Sequence, residues 1–404
     1  MITRKHAWAM WFIASIFYAY QYILRVMPNI MIDEIIAKYQ IDVTTFGQLS
    51  GIYYIGYALV HLPLGILFDK YGPKNILPIF IMLTVIGTIP FAYGNIWIYP
   101  MLGRLLIGIG SSAAILGAFK VIALSFKKEN FSKMLSICVT IGLVGAIYGG
   151  GPLNYIKTQL GTAFIIHMLM IIGIILAATA YMTIPDQESI KQESILNEIN
   201  QVLKNYKIWA VCIFSGLMVG PLEGFADVWG TKFLKLAYNF DDEKAAYLPS
   251  LIFIGMCFGA PLLSSIAEKT KSYLETIIVC AVLMCAGFVI IMMGNISLIN
   301  LSVVFIVIGF LSSYQIIAIF KASTYVDEKA AGLATALTNM VIMIFGYVFH
   351  SSISKIIDVK TLEFGIGIKT YNYGIAVIPI GLAIAALGFT MLLIMDRKNN
   401  SNKV

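Results

Sequence analysis

Charged side chains are scarce in this chain. Only 12% of its 404 residues are charged, whereas a soluble chain carries about twice that fraction. Hydrophobic residues make up 59% of the sequence, and the mean hydropathy is +0.85. This scarcity of charge excludes a protein whose surface is mainly in contact with water.

Three further absences narrow the function. No Gly-rich nucleotide-binding loop is present, so we expect no ATP-driven transport by this chain alone. The five cysteines lie singly within apolar segments, and their odd number and spacing argue against a disulfide framework and a metal site. No cluster of catalytic groups occurs, so we expect no enzyme activity, no catalytic residue, no metal and no cofactor.

Long apolar runs are abundant instead. A helix needs roughly 20 apolar residues to cross the hydrocarbon core of a membrane, and the sequence contains twelve such runs. The predicted spans are 7–32, 44–68, 75–94, 97–126, 132–156, 162–184, 207–234, 245–267, 274–294, 298–325, 330–356 and 372–395. The predicted fold class is therefore an all-α membrane protein with twelve transmembrane helices.

The net charge of +7 reflects lysines in the short segments between spans, and we expect no nucleic-acid partner. With the N-terminus inside, the cytoplasmic segments carry about twice as many basic residues as the outer loops, as the positive-inside rule requires. The sequence therefore predicts a bacterial inner-membrane protein with both termini in the cytoplasm. We expect it to act as a monomer.

An internal repeat divides the chain into halves. Ile107–Lys120 reads IGIGSSAAILGAFK and Ile308–Lys321 reads IGFLSSYQIIAIFK, with seven of fourteen positions identical at an offset of 201 residues. Spans four and ten are therefore equivalent. We predict six-helix bundles at 1–184 and 207–404, joined by a polar cytoplasmic linker at 185–206 with the pattern of a short amphipathic helix. A substrate site is expected between the halves, near the membrane midplane.

The loop after span two carries a recognisable motif. Gly65-Ile-Leu-Phe-Asp69-Lys70-Tyr-Gly72-Pro73-Lys74 resembles the G-x-x-x-D-[RK]-x-G-[RK]-[RK] signature of the major facilitator superfamily. A degenerate copy, Ser264-Ser-Ile-Ala-Glu268-Lys-Thr-Lys271, follows span eight. The resemblance implies two pseudo-symmetric six-helix bundles and gating roles for Asp69, Lys70 and Glu268.

Two further motifs support the resemblance. Gly103-Arg104 with Gly108 and Gly110 is similar to the family's R-x-x-x-G-x-G element, which implies a proton-coupling role for Arg104. Span five is rich in glycine and resembles loosely a glycine-proline motif of the family's exporters. We interpret these glycines first as sites of close backbone approach and bending.

Ionisable groups inside the spans are the main candidates for function, because an intramembrane charge costs at least about 2.5–3.5 kcal/mol. The candidates are Arg25, Arg104, Lys120, Glu223, Asp227 and Lys321. Lys120 and Lys321 align in the repeat. Each lysine either lines the cavity or extends towards the inner interface, and Asp327 and Glu328 are possible partners of Lys321.

When the repeat offset of 201 residues is applied, Arg25 of span one aligns with Ala226 of span seven. Ala226 lies beside Glu223 and Asp227. One half thus contributes a cation where the other contributes anions. These charges either bind or gate a substrate or form a structural salt bridge. A solute carrying both charges would suit them, because a carboxylate pairs with a guanidinium and an ammonium with a carboxylate.

Span one resembles two known branches of the family and differs from a third. Its Tyr-rich stretch before Arg25 resembles the organic-phosphate exchangers, but span seven lacks their second arginine. The E-x-x-E-R run of the peptide carriers is missing. The run Tyr20-Gln21-Tyr22-Ile-Leu-Arg25-Val-Met-Pro28 looks like a branch found in intracellular Gram-negative bacteria and linked to amino-acid or metabolite uptake.

Uncharged and titratable residues complete the predicted site. Gln21, Tyr22, Tyr57 and Gln315 are the expected uncharged substrate contacts, and Tyr53 and Tyr54 are further cavity-lining candidates. Among the histidines of the spans, His61 and His350 are candidates for proton coupling. Either histidine could instead be an ordinary hydrogen-bonding residue between helices.

The sequence therefore predicts a secondary transporter that moves a small polar solute, zwitterionic or anionic, by alternating access. Its expected partners are the solute, protons as coupling ion and the lipid bilayer. An efflux carrier for amphiphilic compounds and an organic-anion exchanger are the alternatives.

Overall fold

The structure is a computed structural model that describes residues 4–186 and 196–401. It divides into two compact units, Met1–Glu193 and Ser194–Val404. Within the described residues it is helical and contains no β-strand. The predicted all-α class is confirmed.

The described residues of the first unit form eight α-helices and two short 3₁₀ segments. The helices are α1 (Arg4–Val26), α2 (Ile32–Tyr39), α3 (Val43–Tyr93), α4 (Ile98–Ser111), α5 (Ala113–Ser125), α6 (Phe131–Gly149), α7 (Gly151–Leu160) and α8 (Thr162–Thr183), with 3₁₀ turns at Met27–Ile30 and Lys128–Asn130. The long α3 is two helices joined at Gly72, whose φ of 72° is left-handed.

The second unit contains eleven α-helices and one π-helix among its described residues. The α-helices are α9 (Leu196–Lys204), α10 (Tyr206–Leu217), α11 (Gly230–Tyr238), α12 (Asp242–Tyr247), α13 (Ser250–Thr270), α14 (Tyr273–Met292), α15 (Leu298–Ser312), α16 (Tyr314–Ser323), α17 (Glu328–Phe364), α18 (Ile368–Ile375) and α19 (Val377–Ser401). The π-helix, Gly220–Trp229, lies between α10 and α11.

These helices form the membrane spans. Eleven stretches of the described chain are long and apolar enough to cross a membrane, and a bent pair makes twelve if it is counted as one span. In chain order the spans are Arg4–Ile30, Val43–Phe68, Lys70–Tyr93, Ile98–Ser125, the pair Lys133–Gly149 and Gly151–Leu160, Thr162–Thr183, Tyr206–Tyr238, Asp242–Thr270, Tyr273–Met292, Leu298–Ser323, Glu328–Phe364 and Ile368–Lys398.

The surface of the spans is apolar. Large hydrophobic side chains such as Leu362, Met182 and Ile299 are 90%, 82% and 76% exposed. A soluble monomer rarely exposes contiguous apolar surface on this scale. Hydrocarbon chains of lipid are therefore the solvent that fits this surface.

The glycines of span five explain its shape. A Cβ atom on Gly142 would overlap with the Tyr18 ring, and one on Gly145 would overlap with the Ala19 backbone. Gly150 then leaves helical geometry, with φ −89° and ψ −111°, and the two parts of the span meet at 40°. The expected roles in close approach and bending are confirmed.

The Ser-Ser pair of the repeat marks a break in both units. Helix α4 gives way to α5 at Ser112, and α15 gives way to α16 at Ser313. The Ser112 hydroxyl donates to the Ile109 carbonyl at 2.6 Å, and the Ser313 hydroxyl donates to the Met256 carbonyl at 3.3 Å. Short polar side chains thus satisfy backbone carbonyls near the interrupted helices.

Candidate functional site

In the first unit, the candidate site is built where span one stops being an α-helix. Helix α1 ends at Val26, and Pro28 is the second residue of the 3₁₀ turn Met27–Ile30 that follows. Proline has no N–H, so it cannot donate to the Leu24 carbonyl four residues earlier. The end of span one therefore needs a donor from another part of the chain.

Arg104 of span four supplies that donor. Its Nη1 donates to the Leu24 carbonyl at 2.7 Å, and its Nη2 donates to the carbonyls of Arg25 at 3.3 Å and Ser50 at 3.1 Å. The side chain is only 1% exposed and its guanidinium lies 4.8 Å from the centre of the Tyr53 ring. Arg104 thus ties spans one, two and four together through backbone carbonyls.

Arg25 is enclosed by aromatic rings. Its guanidinium carbon lies 5.1 Å from the Tyr22 ring centre and 5.4 Å from the Tyr54 ring centre, and the residue is 5% exposed. Cation–π attraction to the ring faces stabilises a desolvated guanidinium. The planar fork of Arg25 also has the geometry that a carboxylate recognises.

A row of aromatic and polar side chains continues along span two. The Tyr53 hydroxyl donates to Gln21 Oε1 at 2.8 Å, which joins span two to span one. Tyr57 stacks on His61 with ring centres 5.3 Å apart, and Tyr53 lies 6.3 Å from Tyr57. The structure therefore brings most of the residues predicted in the first unit into one cluster.

The remaining predicted residues lie elsewhere along the chain. Lys120 is half-buried on α5, and Lys70 is exposed, with its ammonium 5.0 Å from the Tyr71 ring centre. The side chain of Asp69 lies outside the described residues. In the second unit, Glu268 is exposed near the end of α13.

In the second unit, Glu223 and Asp227 lie on the π-helix of span seven. All ten residues of this segment are buried, with Glu223 0% and Asp227 1% exposed. Residues four apart on such a helix project from the same side, because a π-helix has somewhat more than four residues per turn. π-helical segments are frequent at functional sites.

Span eleven packs closely against this π-helix. A Cβ atom on Gly220 would lie 2.7 Å from the Phe349 ring, and one on Gly224 would lie 3.4 Å from Phe349 and Ile353. Next to Phe349 in the sequence is His350, which is fully buried. The small residues thus let span eleven approach the acidic segment.

Span ten supplies polar groups near the break in span seven. The Tyr314 hydroxyl donates to the Ser215 carbonyl at 2.7 Å, just before α10 ends. Tyr314 itself is fully buried. Gln315 is buried beside it, and its Nε2 has no hydrogen-bond partner within the described part of the chain. Tyr314 was not among the predicted site residues, although it follows the Ser-Ser pair of the repeat.

Lys321 lies in a different environment from the one expected. Its ammonium is 3.3 Å from Asp396 Oδ2 and 4.3 Å from the Tyr325 ring centre. The suggestion that Asp327 or Glu328 pairs with Lys321 is therefore wrong, because Asp396 at the end of span twelve reaches it instead. Asp396 also pairs with Lys207 at 2.7 Å. The only sequence signal for this acid was its position beside Arg397 and Lys398.

The two units together define a multi-pass helical membrane protein with ionisable groups buried inside its spans. A profile of the Major Facilitator Superfamily matches residues 10–350. The chain belongs to this superfamily of transporters and is not an enzyme. A small-molecule solute and the lipid membrane are its partners.

Solved structures show the same fold. A bacterial homologue of the human lysosomal transporter Spinster, inward-facing and unoccupied, superposes with a TM-score of 0.74 and 13% identity over 96% of this chain and 97% of that chain. Its occupied form gives 0.70 and 13%, over 95% and 96%. A mutant of the nucleoside transporter NupG gives 0.75 and 16%, over 96% and 99%. A search of curated proteins found no match.

Proposed function

We propose that this chain is a secondary carrier that moves a small polar solute, zwitterionic or anionic and typified by an amino acid, across the inner membrane of a bacterium. It works by alternating access, is driven by protons, acts as a monomer and keeps both termini in the cytoplasm. The bundles at 1–184 and 207–404 are its two working halves, with 185–206 as the linker.

One observation carries the proposal. Buried charges of opposite sign occupy spans that the repeat makes equivalent, with Arg25 in span one and Glu223 and Asp227 in span seven. Burial of such groups is costly, so they are retained for a function. We assign Arg25 to the solute carboxylate and the two acidic residues to its ammonium group.

The neighbouring residues have supporting roles in this proposal. Gln21, Tyr22 and Tyr57 in the first half and Gln315 in the second contact the solute, with Lys120 and Lys321 as further cations. Glu223 and Asp227 are also the natural proton carriers, and His61 and His350 are further coupling candidates. Asp69, Lys70 and Glu268 act in gating.

Arg104 has a different role from that of a proton carrier. An arginine side chain stays protonated in proteins, and this one donates to three backbone carbonyls. We assign it as a positioning residue that holds the end of span one, and hence the backbone of Arg25. Coupling would depend on Arg104 only through that geometry.

The test is uptake of labelled amino acids into proteoliposomes under an imposed proton gradient. We expect saturable uptake that a protonophore abolishes. Arg25→Ala and Asp227→Asn should each lower uptake at least about 30-fold, since losing one partner of a buried charge pair costs 2–5 kcal/mol. Arg397→Ala and Glu243→Gln, which alter exposed residues, should transport normally.

The alternatives predict different results. An organic-anion exchanger would show counterflow of anions without a proton requirement. An efflux carrier for amphiphiles would show no saturable uptake of amino acids. The span-five glycines, whose resemblance to an exporter motif suggested this alternative, give it little support, because they contact span one. Near-normal uptake by both charge variants would remove Arg25 and Asp227 from the mechanism.

A further inference from the structure

A basic groove lies in the second unit, where α9 meets spans seven, ten and twelve. Its volume is about 700 Å³, and Lys204, Lys207 and Lys321 line it together with Asp396 and Tyr325. Among the described lining residues, three ammonium groups thus share the groove with a single carboxylate. Lys204 and Lys207 are not part of the proposed transport site, whereas Lys321 is also one of its further cations.

The ion pairs inside the groove keep two of these lysines in place. Asp396 contacts the Lys207 ammonium at 2.7 Å and the Lys321 ammonium at 3.3 Å, and it accepts from the Tyr325 hydroxyl at 2.5 Å. An ammonium has three N–H donors. Each lysine can therefore serve an anion in the groove as well as Asp396.

Helix α9 has three distinct faces. Val202 is buried at 1% exposure in a cluster with Ile208 and Ala330, so one face is fixed to the unit. Lys204 and Gln201 line the groove. A third face carries Ile199 and Leu203, which are 37% and 48% exposed.

The exposed apolar face follows helical spacing. Ile199 and Leu203 are four residues apart on α9, so they form one short stripe along this helix. Beside this stripe, the Trp209 indole N–H donates to the Leu203 carbonyl at 2.9 Å. Tryptophan and tyrosine are enriched where membrane meets water. The stripe is therefore placed to contact the acyl chains of lipid next to the basic groove.

We propose that this groove binds the phosphate group of an anionic phospholipid, with Lys204, Lys207 and Lys321 as donors and the α9 stripe against its acyl chains. Basic pockets between transmembrane helices bind such headgroups through ammonium–phosphate contacts. A soluble phosphate would share the ammonium contacts but would make no use of Ile199 and Leu203. The apolar stripe therefore favours the lipid as the source of the anion.

The experiment measures lipid retained by the purified full-length chain, by native mass spectrometry with dioleoyl phosphatidylglycerol and dioleoyl phosphatidylcholine. We expect preferential retention of the anionic lipid. Lys204→Gln should weaken it about fivefold, since one lysine near such a surface contributes about 1 kcal/mol. Lys269→Gln, which removes an exposed charge at the end of α13, should leave retention unchanged within about twofold. Equal retention of both lipids, or equal losses in both variants, would overturn the proposal.

A second arm separates the two sources of phosphate. Leu203→Ser should weaken phosphatidylglycerol retention while leaving binding of inorganic phosphate unaltered. If millimolar inorganic phosphate displaces the lipid and Leu203→Ser has no effect, the groove is a site for a soluble anion and the lipid assignment fails. Lys204 and Leu203 are both exposed, and a melting temperature in detergent within about two degrees of the parent's would show that both variants fold. The outcome does not depend on which solute is transported.

Discussion

The two halves of the chain share a backbone scaffold but differ in what they bury within it. In the first unit, a Cβ atom on Gly56 would overlap with the Leu105 carbonyl and one on Gly108 with the Tyr53 carbonyl. In the second unit, Gly255 and Gly309 meet the carbonyls of Ile306 and Ile252 in the same way. The close approach of spans two and four is thus repeated by spans eight and ten.

The ends of the helices are repeated too. The Tyr39 hydroxyl donates to the Pro90 carbonyl and the Tyr238 hydroxyl to the Ile291 carbonyl. The residues that follow these tyrosines are both left-handed, Gln40 at φ 50° and Asn239 at φ 53°. Both loops then cap the next helix with an aspartate, Asp42 or Asp241.

The Asp241 cap is charge-assisted. Its carboxylate accepts from the ammonium of Lys244 at 2.9 Å and from the amide of the same residue at 2.8 Å. These bonds favour the ionised carboxylate and lower the pKa of Asp241. The scaffold therefore repeats down to its hydrogen bonds.

The interior side chains are where the halves diverge. Arg104 of span four aligns with Phe305 of span ten. Arg104 donates to carbonyls of span one, whereas Phe305 packs on Phe225 of span seven with ring centres 5.6 Å apart. The two halves therefore share the same helix packing but carry their buried polar side chains at different positions.

The largest effect should come from breaking the shared scaffold. We expect Gly108→Leu and Gly309→Leu each to prevent folding. The added side chain would overlap with the backbone of Tyr53 or Ile252, which cannot move aside as a flexible side chain could. Gly332→Leu is the control, since a Cβ atom there meets nothing within 4 Å. Yield of monodisperse protein in detergent measures the effect. Tolerance in one half alone would show that the two scaffolds are not equivalent.

Substitutions at Arg104 and at Phe305, the aligned residues that differ between the halves, should distinguish a positioning role from simple packing. Arg104→Leu removes the guanidinium donor from three carbonyls, and Arg104→Lys cannot restore the fork. Both should therefore lower uptake at least about 100-fold, by the loss of roughly 3 kcal/mol of buried hydrogen bonding. Phe305→Leu should cost less than about 1.5 kcal/mol of stability and keep uptake. Full activity of Arg104→Lys would contradict the positioning role.

The tyrosine bonds test whether the loops that follow spans one and seven are equally stabilised. Tyr39→Phe and Tyr238→Phe should each lower the free energy of unfolding by about 1 kcal/mol. The loss should be larger for Tyr238, whose bond is 2.7 Å long against 3.3 Å for Tyr39. Melting temperatures in detergent provide the measurement, with Tyr247→Phe as an exposed control. A larger loss in the first half would reverse the expected order.

The smallest effect concerns the loop motif. Gly72 and Lys271 occupy matching places in it, and both are left-handed, at φ 72° and 54°. Lys271→Gly should stabilise by up to about 1 kcal/mol, because its αL conformation at φ 54° and ψ 21° costs a non-glycine residue about that much. Gly72→Ala should destabilise by at least about 1 kcal/mol, because φ 72° with ψ 162° is open essentially to glycine alone. Melting temperatures that shift in the same direction in both variants would refute this explanation.

Much of the fold could be predicted from local sequence. Apolar runs of about 20 residues predict spans because hydrocarbon requires internally bonded helices. The repeat was visible because Ser-Ser and Phe-Lys match in register, and the break at Ser112 and Ser313 shows why the serines persist. The π-helical geometry around Glu223 was not predictable, because no residue pattern distinguishes it from an ordinary α-helical turn.

The candidate site was only partly predictable. Arg25, Gln21 and Tyr22 were recognised as unusual in an apolar span, and their contacts with span two followed from the structure. The pairing of Lys321 with Asp396 was missed, because the two residues are 75 residues apart in sequence. Asp327 and Glu328 lie much closer to Lys321 in sequence and were therefore considered first. Sequence proximity favours local partners, whereas helix packing decides which distant carboxylate is within reach.

The sequence by itself determined the solvent, the number of spans, the duplication and the superfamily, because each depends on composition and spacing along one chain. Only the tertiary structure decided what the buried polar groups do. Arg104 illustrates the reason, because its three hydrogen-bond acceptors are backbone carbonyls. Every residue has such a carbonyl, so no sequence pattern can identify these three as the acceptors. They become a site for its guanidinium because Pro28 has no N–H for the Leu24 carbonyl and because helix packing brings the carbonyls of Arg25 and Ser50 within reach.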